Sequence, residues 1–286
     1  MRMERLGFLG PQGTHSEAAA LYLNDLCAKP YSLQAFADIY TAMQAVEAGT
    51  IDACLVPVEN SLEGSINITL DTLAHSEDLL VTRELIWRVH NQLMAKCRPQ
   101  DVKKIFSHAQ PLSQCRSYLQ QQYPAAELVA TASTAKAARL VAASRMDEGC
   151  AAICTKRAGE LYGLQTLAVE IQDNMANCTR FFEVRRASGL RPTAGEVLDK
   201  VLIICQIDGQ RAGSLCDVLQ EFARCSVNMT RIESRPARTE LGAYIFFFDL
   251  ETSTSRKNLE ASIEAVRKKS IWLKNLGEFP VIVAKN

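Results

Sequence analysis

The stretch LGFLGPQGTHSEAAALYL, residues 6–23, reads as three local structures in a row. Leu6 to Leu9 is a short apolar strand. Gly10, Pro11 and Gly13 make a tight turn, and Glu17 to Leu23 opens a helix. A strand feeding a helix through a glycine turn is the unit of an α/β fold, and the pattern recurs along the chain. Asp38 is placed to cap a helix carrying Ile39, Met43 and Val46, Gly49 to end it, and Ala53 to Val58 to follow as a strand. Thr134 is placed to cap a second such helix carrying Ala138, Val141 and Ala142. Gly149 is expected to end that helix and Ala151 to Cys154 to follow as a strand. Two similar units about a hundred residues apart predict two α/β lobes, helices on both sheet faces, and a cleft between them suited to a small ligand.

Further along, RRASGLRPTAGE, with Gly189, Pro192 and Gly195, reads as a linker within residues 187–199. Beyond the linker the chain has a pattern of its own. Val201 to Ile207 is a β-branched run, and Leu215, Val218, Leu219 and Phe222 lie on one face of a helix. Val227 to Glu233 and Ala243 to Leu250 read as strands. Leu259, Ile263 and Val266 share the face of a second helix, and Ile271 to Leu273 begins a last strand. The order βαββαβ is ferredoxin-like, an antiparallel sheet with helices on one face. With complete patterns on either side of the linker, a fragment ending near Ala187 is expected to fold alone.

Composition sets the outer limits. At 286 residues the chain holds about two domains of ~150 residues. Hydrophobic residues at 48% and charged residues at 22% exclude long disorder and low-complexity tracts. Lys plus Arg balances Asp plus Glu at 32 each, so net charge gives no support to binding nucleic acid or an anionic membrane. No apolar run approaches the ~20 residues that span a bilayer. MRMERLGFLGPQG at the start lacks a secretory h-region, which predicts a cytoplasmic protein. Ten cysteines stand with no C-x-x-C pair, and four histidines (15, 75, 90, 108) are scattered. Buried thiols in a reducing compartment, and no metal site, are the expectation.

Several loops at the ends of strands carry small polar residues. Thr14 or Ser16 either caps the first helix or helps its free N–H groups meet a carboxylate or phosphate. Asn60 and Ser61, leaving the strand at Pro57, either cap the next helix or line a site. Ser107-His108-Ala109-Gln110 leads to a helix predicted to begin at Pro111, with Gln114 one turn inside. His108 has no sequence-near carboxylate to orient it and is read as structural. Thr179 and Arg180 stand before the apolar pair Phe181-Phe182.

Taken together, GPQGTHSE, VPVENSLEGS, SHAQPLSQC and NCTRFF, with VNMTRIESRP in the second half, resemble the prephenate dehydratases in order and spacing over nearly the whole chain. The resemblance implies a cytoplasmic, cofactor-free lyase of phenylalanine biosynthesis. Its fold would be a two-lobed catalytic domain of the type II periplasmic-binding-protein class (1–186; lobe 1 about 1–80 plus 172–186, lobe 2 about 81–171), then an ACT domain at 200–286. It implies Thr179 as the essential hydroxyl, with Thr14, Asn60, Ser61, Ser107, Gln114, Arg180 and Phe181 shaping the substrate site. Gly213, Leu215, Asn228, Glu233, Ser234, Arg235 and Pro236 would bind L-phenylalanine as effector. A homodimer or homotetramer is expected, paired through the ACT half.

The chemistry suits those residues. Prephenate, a dianion with a ring hydroxyl, becomes aromatic as CO2 and the hydroxyl leave, so the ring is its own electron sink. Arg180 and the helix N-termini suit the anions. Thr179 suits hydrogen-bond donation to the leaving oxygen, as an electrostatic donor or as a proton relay. The family's usual Pro-Gly-Ala-Leu is here Ala212-Gly213-Ser214-Leu215, which bears on effector affinity. Arogenate dehydratase and a non-catalytic aromatic-acid sensor stand as rivals, and an intact Thr179-Arg180-Phe181 weighs against the sensor.

Overall fold

The computed structural model describes residues 2–189 and 197–285. Lobe 1 is built first: β1 (Arg5–Leu9), α1 (His15–Leu26), β2 (Ser32–Phe36), α2 (Ile39–Glu47), β3 (Ala53–Asn60), β4 (Gly64–Ser65), α3 (Asn67–His75) and β5 (Leu79–Arg88). Asp38 caps α2 as predicted, its Oδ1 accepting from the Thr41 N–H at 2.8 Å. Gly49, at φ +70°, comes after it in the left-handed conformation that favours glycine. In β3 the two-residue period sorts the strand between two cores. Ala53 and Leu55 pack under α1, whereas Cys54, Val56 and Val58 pack on the opposite face with α2 and α3.

Lobe 2 comes next: β6 (Gln92–Ala95), β7 (Lys104–Ser107), α4 (Ala109–Gln114), α5 (Arg116–Gln122), β8 (Glu127–Ala130), α6 (Thr134–Ala143), β9 (Cys150–Cys154), α7 (Lys156–Tyr162) and β10 (Gln165–Ala168), with sheet order β10-β6-β9-β7-β8. The chain then returns to lobe 1 as β11 (Cys178–Arg186), laid antiparallel between β3 and β5. Two lobes joined by two crossings is the expected binding-protein arrangement. The crossing lies about ten residues later than the predicted division near residue 80, at 89–91, because β5 stays paired to β11 through Arg88. Three local expectations also change. Ser133 rather than Thr134 caps α6. Gly149 ends a short 3₁₀ turn at Met146–Glu148, α6 having stopped at Ala143. His108 caps α4, leaving Pro111 inside its first turn.

The third unit comprises β12 (Lys200–Gln206), α8 (Ser214–Arg224), β13 (Met229–Pro236), β14 (Tyr244–Glu251), α9 (Arg256–Lys269) and β15 (Trp272–Phe279), in the antiparallel order β13-β14-β12-β15. This is the ferredoxin-like unit the pattern predicted. Its boundary is not a seam, however. Val201, Ile203 and Cys205 face α8 and α9. Leu202, Ile204, Phe247, Leu276 and Phe279 pack instead into the core of lobe 1, against Val58, Leu70, Leu73 and Phe182. The run VLIICQI is apolar on both parities because both faces of β12 are covered. A last strand, β16 (Val281–Val283), leaves this unit and pairs parallel with β5, so the predicted 200–286 domain gives its end to the lobe 1 sheet. Residues 190–196 of the predicted linker, Pro192 and Gly195 among them, lie outside the described residues. Among the described residues no helix is long and apolar enough to cross a membrane.

Candidate active site

A cleft of about 670 Å³ opens between the lobes. Lobe 1 contributes the turn after β1, the first residues of α1, Pro57 and Asn60 at the end of β3, and Thr179 and Phe181 of β11. Lobe 2 contributes the starts of α4 and α6, and the crossings contribute Asn91 and Asn177.

Asn60 organises the centre. Its Oδ1 accepts from the Leu62 and Glu63 N–H groups at 3.0 and 3.2 Å, which fixes the amide orientation. Its Nδ2 therefore faces β11 and donates to Thr179 Oγ1 at 3.1 Å and to Asn177 Oδ1 at 2.9 Å. Asn177 Nδ2 in turn donates to Gln114 Oε1 at 3.1 Å. One chain of side-chain hydrogen bonds thus runs from Thr179 in lobe 1 to Gln114 in lobe 2. The Thr179 oxygen accepts that bond, and among the described residues its own O–H has no protein acceptor, so it can donate into the cleft. Asn177 was missed as a site residue although it opens the quoted NCTRFF motif.

Of the residues proposed from the sequence, Thr14, Asn60, Gln114, Thr179 and Phe181 line the cleft. Thr14 is also a full cap: its Oγ1 accepts from the Glu17 N–H and donates toward Pro11 O, while Glu17 Oε2 accepts from the Gly13 N–H at 2.6 Å. Three anticipated residues lie elsewhere. Ser107 is wholly buried and donates to Ile153 O at 2.7 Å, tying β7 to β9. Ser61 Oγ accepts from the Cys178 N–H and pins the returning crossing. Arg180 is the main correction. Strand alternation puts Thr179 and Phe181 toward the cleft and turns Arg180 to the opposite face of β11. There it pairs with Glu84 at 2.8 Å, Glu59 at 2.7 Å and Asp249 of the third unit. Burial alone would raise the Glu84 carboxyl, but hydrogen bonds and charge from Arg180 and Lys200 outweigh it and hold it below the usual range.

The cations that do line the cleft are Lys136 and Arg139, exposed on consecutive turns of α6, and no Asp or Glu side chain lines it among the described residues. Both sit in the capped helix the sequence predicted, but nothing in one sequence aims that face at a cleft.

His15 was missed as well. Trp87 Nε1 donates to its Nδ1 at 3.4 Å, leaving the proton on Nε2. Burial, against a smaller upward pull from Asn91, pushes the imidazole down to about 4. The unfolded chain, at the usual 6.5, takes up the proton first. The stability is therefore complete above pH ~6.5 and is lost as pH falls toward 4, on the order of 3 kcal/mol. His15→Phe should flatten the fall of the urea midpoint across that window. Parallel curves for wild type and variant would show that His15 does not titrate in this way.

The predicted effector residues fall into two groups. Gly213, at φ +84°, stands as the N-cap of α8, with Leu215 packed below it. Asn228 precedes β13, where its carbonyl accepts from the Glu251 N–H. In β13 the alternation splits Glu233-Ser234-Arg235-Pro236. Glu233 accepts from Ser65 Oγ at 2.7 Å and Arg235 pairs with Asp71 at 3.1 Å, both in lobe 1, while Ser234 and Pro236 are exposed on the other side. Within one chain the run is therefore not gathered around Gly213, because its charged members hold lobe 1.

A family profile described as prephenate dehydratase matches residues 6–189. The bifunctional chorismate mutase/prephenate dehydratase of Neisseria gonorrhoeae is 35% identical over 97% of this chain and 75% of its own length. The prephenate dehydratase of Methanocaldococcus jannaschii is 33% identical over 95% of this chain and 96% of its own. Among solved structures, prephenate dehydratase from Arthrobacter aurescens in complex with L-Phe superposes with a TM-score of 0.84 at 31% identity, covering 96% of this chain and 90% of that one.

Proposed function

The chain belongs to the prephenate dehydratase family, and from that premise we propose how its cleft carries out the reaction. The enzyme converts prephenate to phenylpyruvate, water and CO2. The ring carboxylate leaves as CO2, its bonding electrons enter the ring, and the C4–O bond breaks toward oxygen as the ring becomes aromatic. The departing oxygen gains negative charge and needs a hydrogen-bond donor, and the proton that completes water comes from solvent. Thr179 is that donor, and the observation that carries the assignment is the Asn60 bond at 3.1 Å, which holds its oxygen at the cleft while its O–H has no protein acceptor among the described residues. Gln114 and Asn177 hold the lobes around the ring through the same chain of bonds, and Phe181 gives the ring an apolar wall.

Recognition of the dianion falls to Lys136, Arg139 and the α6 N-terminus, since the Arg180 guanidinium is committed elsewhere. The absence of a lining carboxylate among the described residues favours the keto acid over arogenate, whose ammonium would find no counter-ion. L-phenylalanine is the inhibitory effector, bound at the ferredoxin-like unit acting as an ACT domain, with Gly213, Leu215, Asn228 and the Ser234 side of β13 as its residues. Pairing of two chains through the open edge of β13 and residence in the cytoplasm complete the reading.

One set of assays tests it. Purified protein should form phenylpyruvate from prephenate well before it forms phenylalanine from arogenate. Lys136→Gln/Arg139→Gln should raise KM for prephenate, by about tenfold if each lost pairing removes ~0.5–1 kcal/mol, with kcat largely kept. No turnover of prephenate by the wild type would sink the proposal, and an unmoved KM would return anion binding to other groups.

A further inference from the structure

Thr179 and Asn60 sit directly opposite one another on β11 and β3, and the next pair along the same two strands is Arg180 opposite Glu59. The first pair faces the cleft and the second faces the ferredoxin-like unit. A bulge at Val58, skipped in the register between Pro57 and Glu59, lies immediately beside them. Bulges locally re-aim the strand that carries them. The second pair is then tied to three strands of the ferredoxin-like unit. Arg180 reaches Asp249 of β14. Arg231 of β13 meets Glu59 at 3.3 Å and Glu233 at 3.3 Å. Lys200 of β12 meets Glu84 at 3.1 Å, the carboxylate that also holds Arg180. Asp249 and Glu84 are wholly buried and the Arg231 side chain is 8% exposed, so these charges stand in little water and cannot trade partners cheaply.

We propose that Arg180 and Glu59 are positioning residues through which the state of the ferredoxin-like unit reaches Thr179. The inference rests on the dehydratase reading of the same site and adds its regulation. The two groups lie one residue from the Thr179–Asn60 bond on the same backbones. A displacement of β13 and β14 relative to lobe 1 must either break buried ion pairs or carry Arg180 and Glu59 with it. The second course changes the aim of the Thr179 hydroxyl. An effector that favours one placement of the ferredoxin-like unit therefore changes turnover by its differential affinity for the two placements, with no contact to the substrate. The link between the units is a buried cluster of ion pairs that both share, and the variants below measure the coupling it carries.

The test compares Asp249→Asn and Arg231→Gln with Lys274→Met. Lys274 also crosses the interface, its Nζ donating to Leu73 O at 3.0 Å, but it stands outside the cluster. For each protein kcat and KM for prephenate, inhibition by L-phenylalanine and melting temperature are measured. Asp249→Asn and Arg231→Gln should lower kcat by roughly 2- to 30-fold, the range for mutations that disturb coupling between sites. KM should stay unchanged and inhibition by L-phenylalanine should weaken. Arg231→Lys should recover part of the lost kcat. Lys274→Met should lower the melting temperature alone. The proposal is overturned if the two cluster variants behave as Lys274→Met does, less stable but with native kcat and inhibition. Should Asp249→Asn fail to fold, Arg231→Gln and its lysine rescue decide the matter alone. A wild type that leaves prephenate untouched overturns the dehydratase reading itself, a different result from native kcat in the variants.

Discussion

Thr179→Ala should fold normally and lower kcat by roughly 10²- to 10⁴-fold, the span for losing one positioned donor or acid. The folded state loses little, since the hydroxyl accepts a single bond from an amide that also donates to Asn177 and to Cys178 O. Asn60 is not left buried without partners. KM should change less than kcat, because the donor matters where negative charge develops on the departing oxygen. Thr179→Ser should retain more activity than alanine, with the missing methyl allowing the hydroxyl to rotate away from the aim Asn60 gives it. Steady-state kinetics beside a melting curve checks both, and an alanine variant with native turnover removes Thr179 from the mechanism.

A fragment ending at Ala187 should fail to fold, against the expectation drawn from the linker. It strips the partners from Val58, Leu70, Leu73 and Phe182, all wholly buried. At ~1.5–3 kcal/mol for each such side chain, the loss approaches the ~5–15 kcal/mol that holds a whole domain. It also removes Asp249 and Lys200 from beside Glu84 and Arg180, leaving buried charges with fewer partners. Far-UV circular dichroism and solubility of the fragment are the measurements. A soluble fragment with native-like cooperative melting would show that lobe 1 closes without the ferredoxin-like unit.

Periodicity decides how much of the fold is legible in the sequence. The strands and helices of both lobes carry their own signals, as Asp38 and Gly49 do around α2, and βαββαβ could be read from Val201 onward. Where two neighbouring residues can serve the same role, the pattern does not choose, and so Ser133 took the cap expected of Thr134. The side of a strand is legible only when one face is wet. β11 is covered on both faces, which is why Arg180 could be assigned to the cleft while it points the other way. VLIICQI carried the same ambiguity, and resolving it would have revealed the packing of the ferredoxin-like unit on lobe 1. His15 was hidden because only the folded lobe brings Trp87 and Asn91 to it, and Lys136 and Arg139 were invisible as site residues for a different reason. Their roles depend on where lobe 2 stands relative to lobe 1, which local propensity does not encode.

The parallel pairing of β16 with β5 has a consequence for how the chain is made. Some 190 residues separate the two strands, so on a ribosome adding ~5–20 residues per second, roughly 10–40 s pass between them. Throughout that interval the side of β5 that β16 will cover has unpaired N–H and C=O groups open to any passing strand, and its other side first waits for β11. The middle of that edge carries Arg83 and Glu84. Glu84 is the residue that Val281 finally lies beside, and its N–H donates to Pro280 O at 3.0 Å. A carboxylate at the centre of an unfinished edge makes pairing with a foreign apolar strand costly, since the intruder would bury a charge before Arg180 and Lys200 stand beside it. The position that anchors the ion cluster in the finished molecule is thus the one that keeps the growing chain from joining its neighbours.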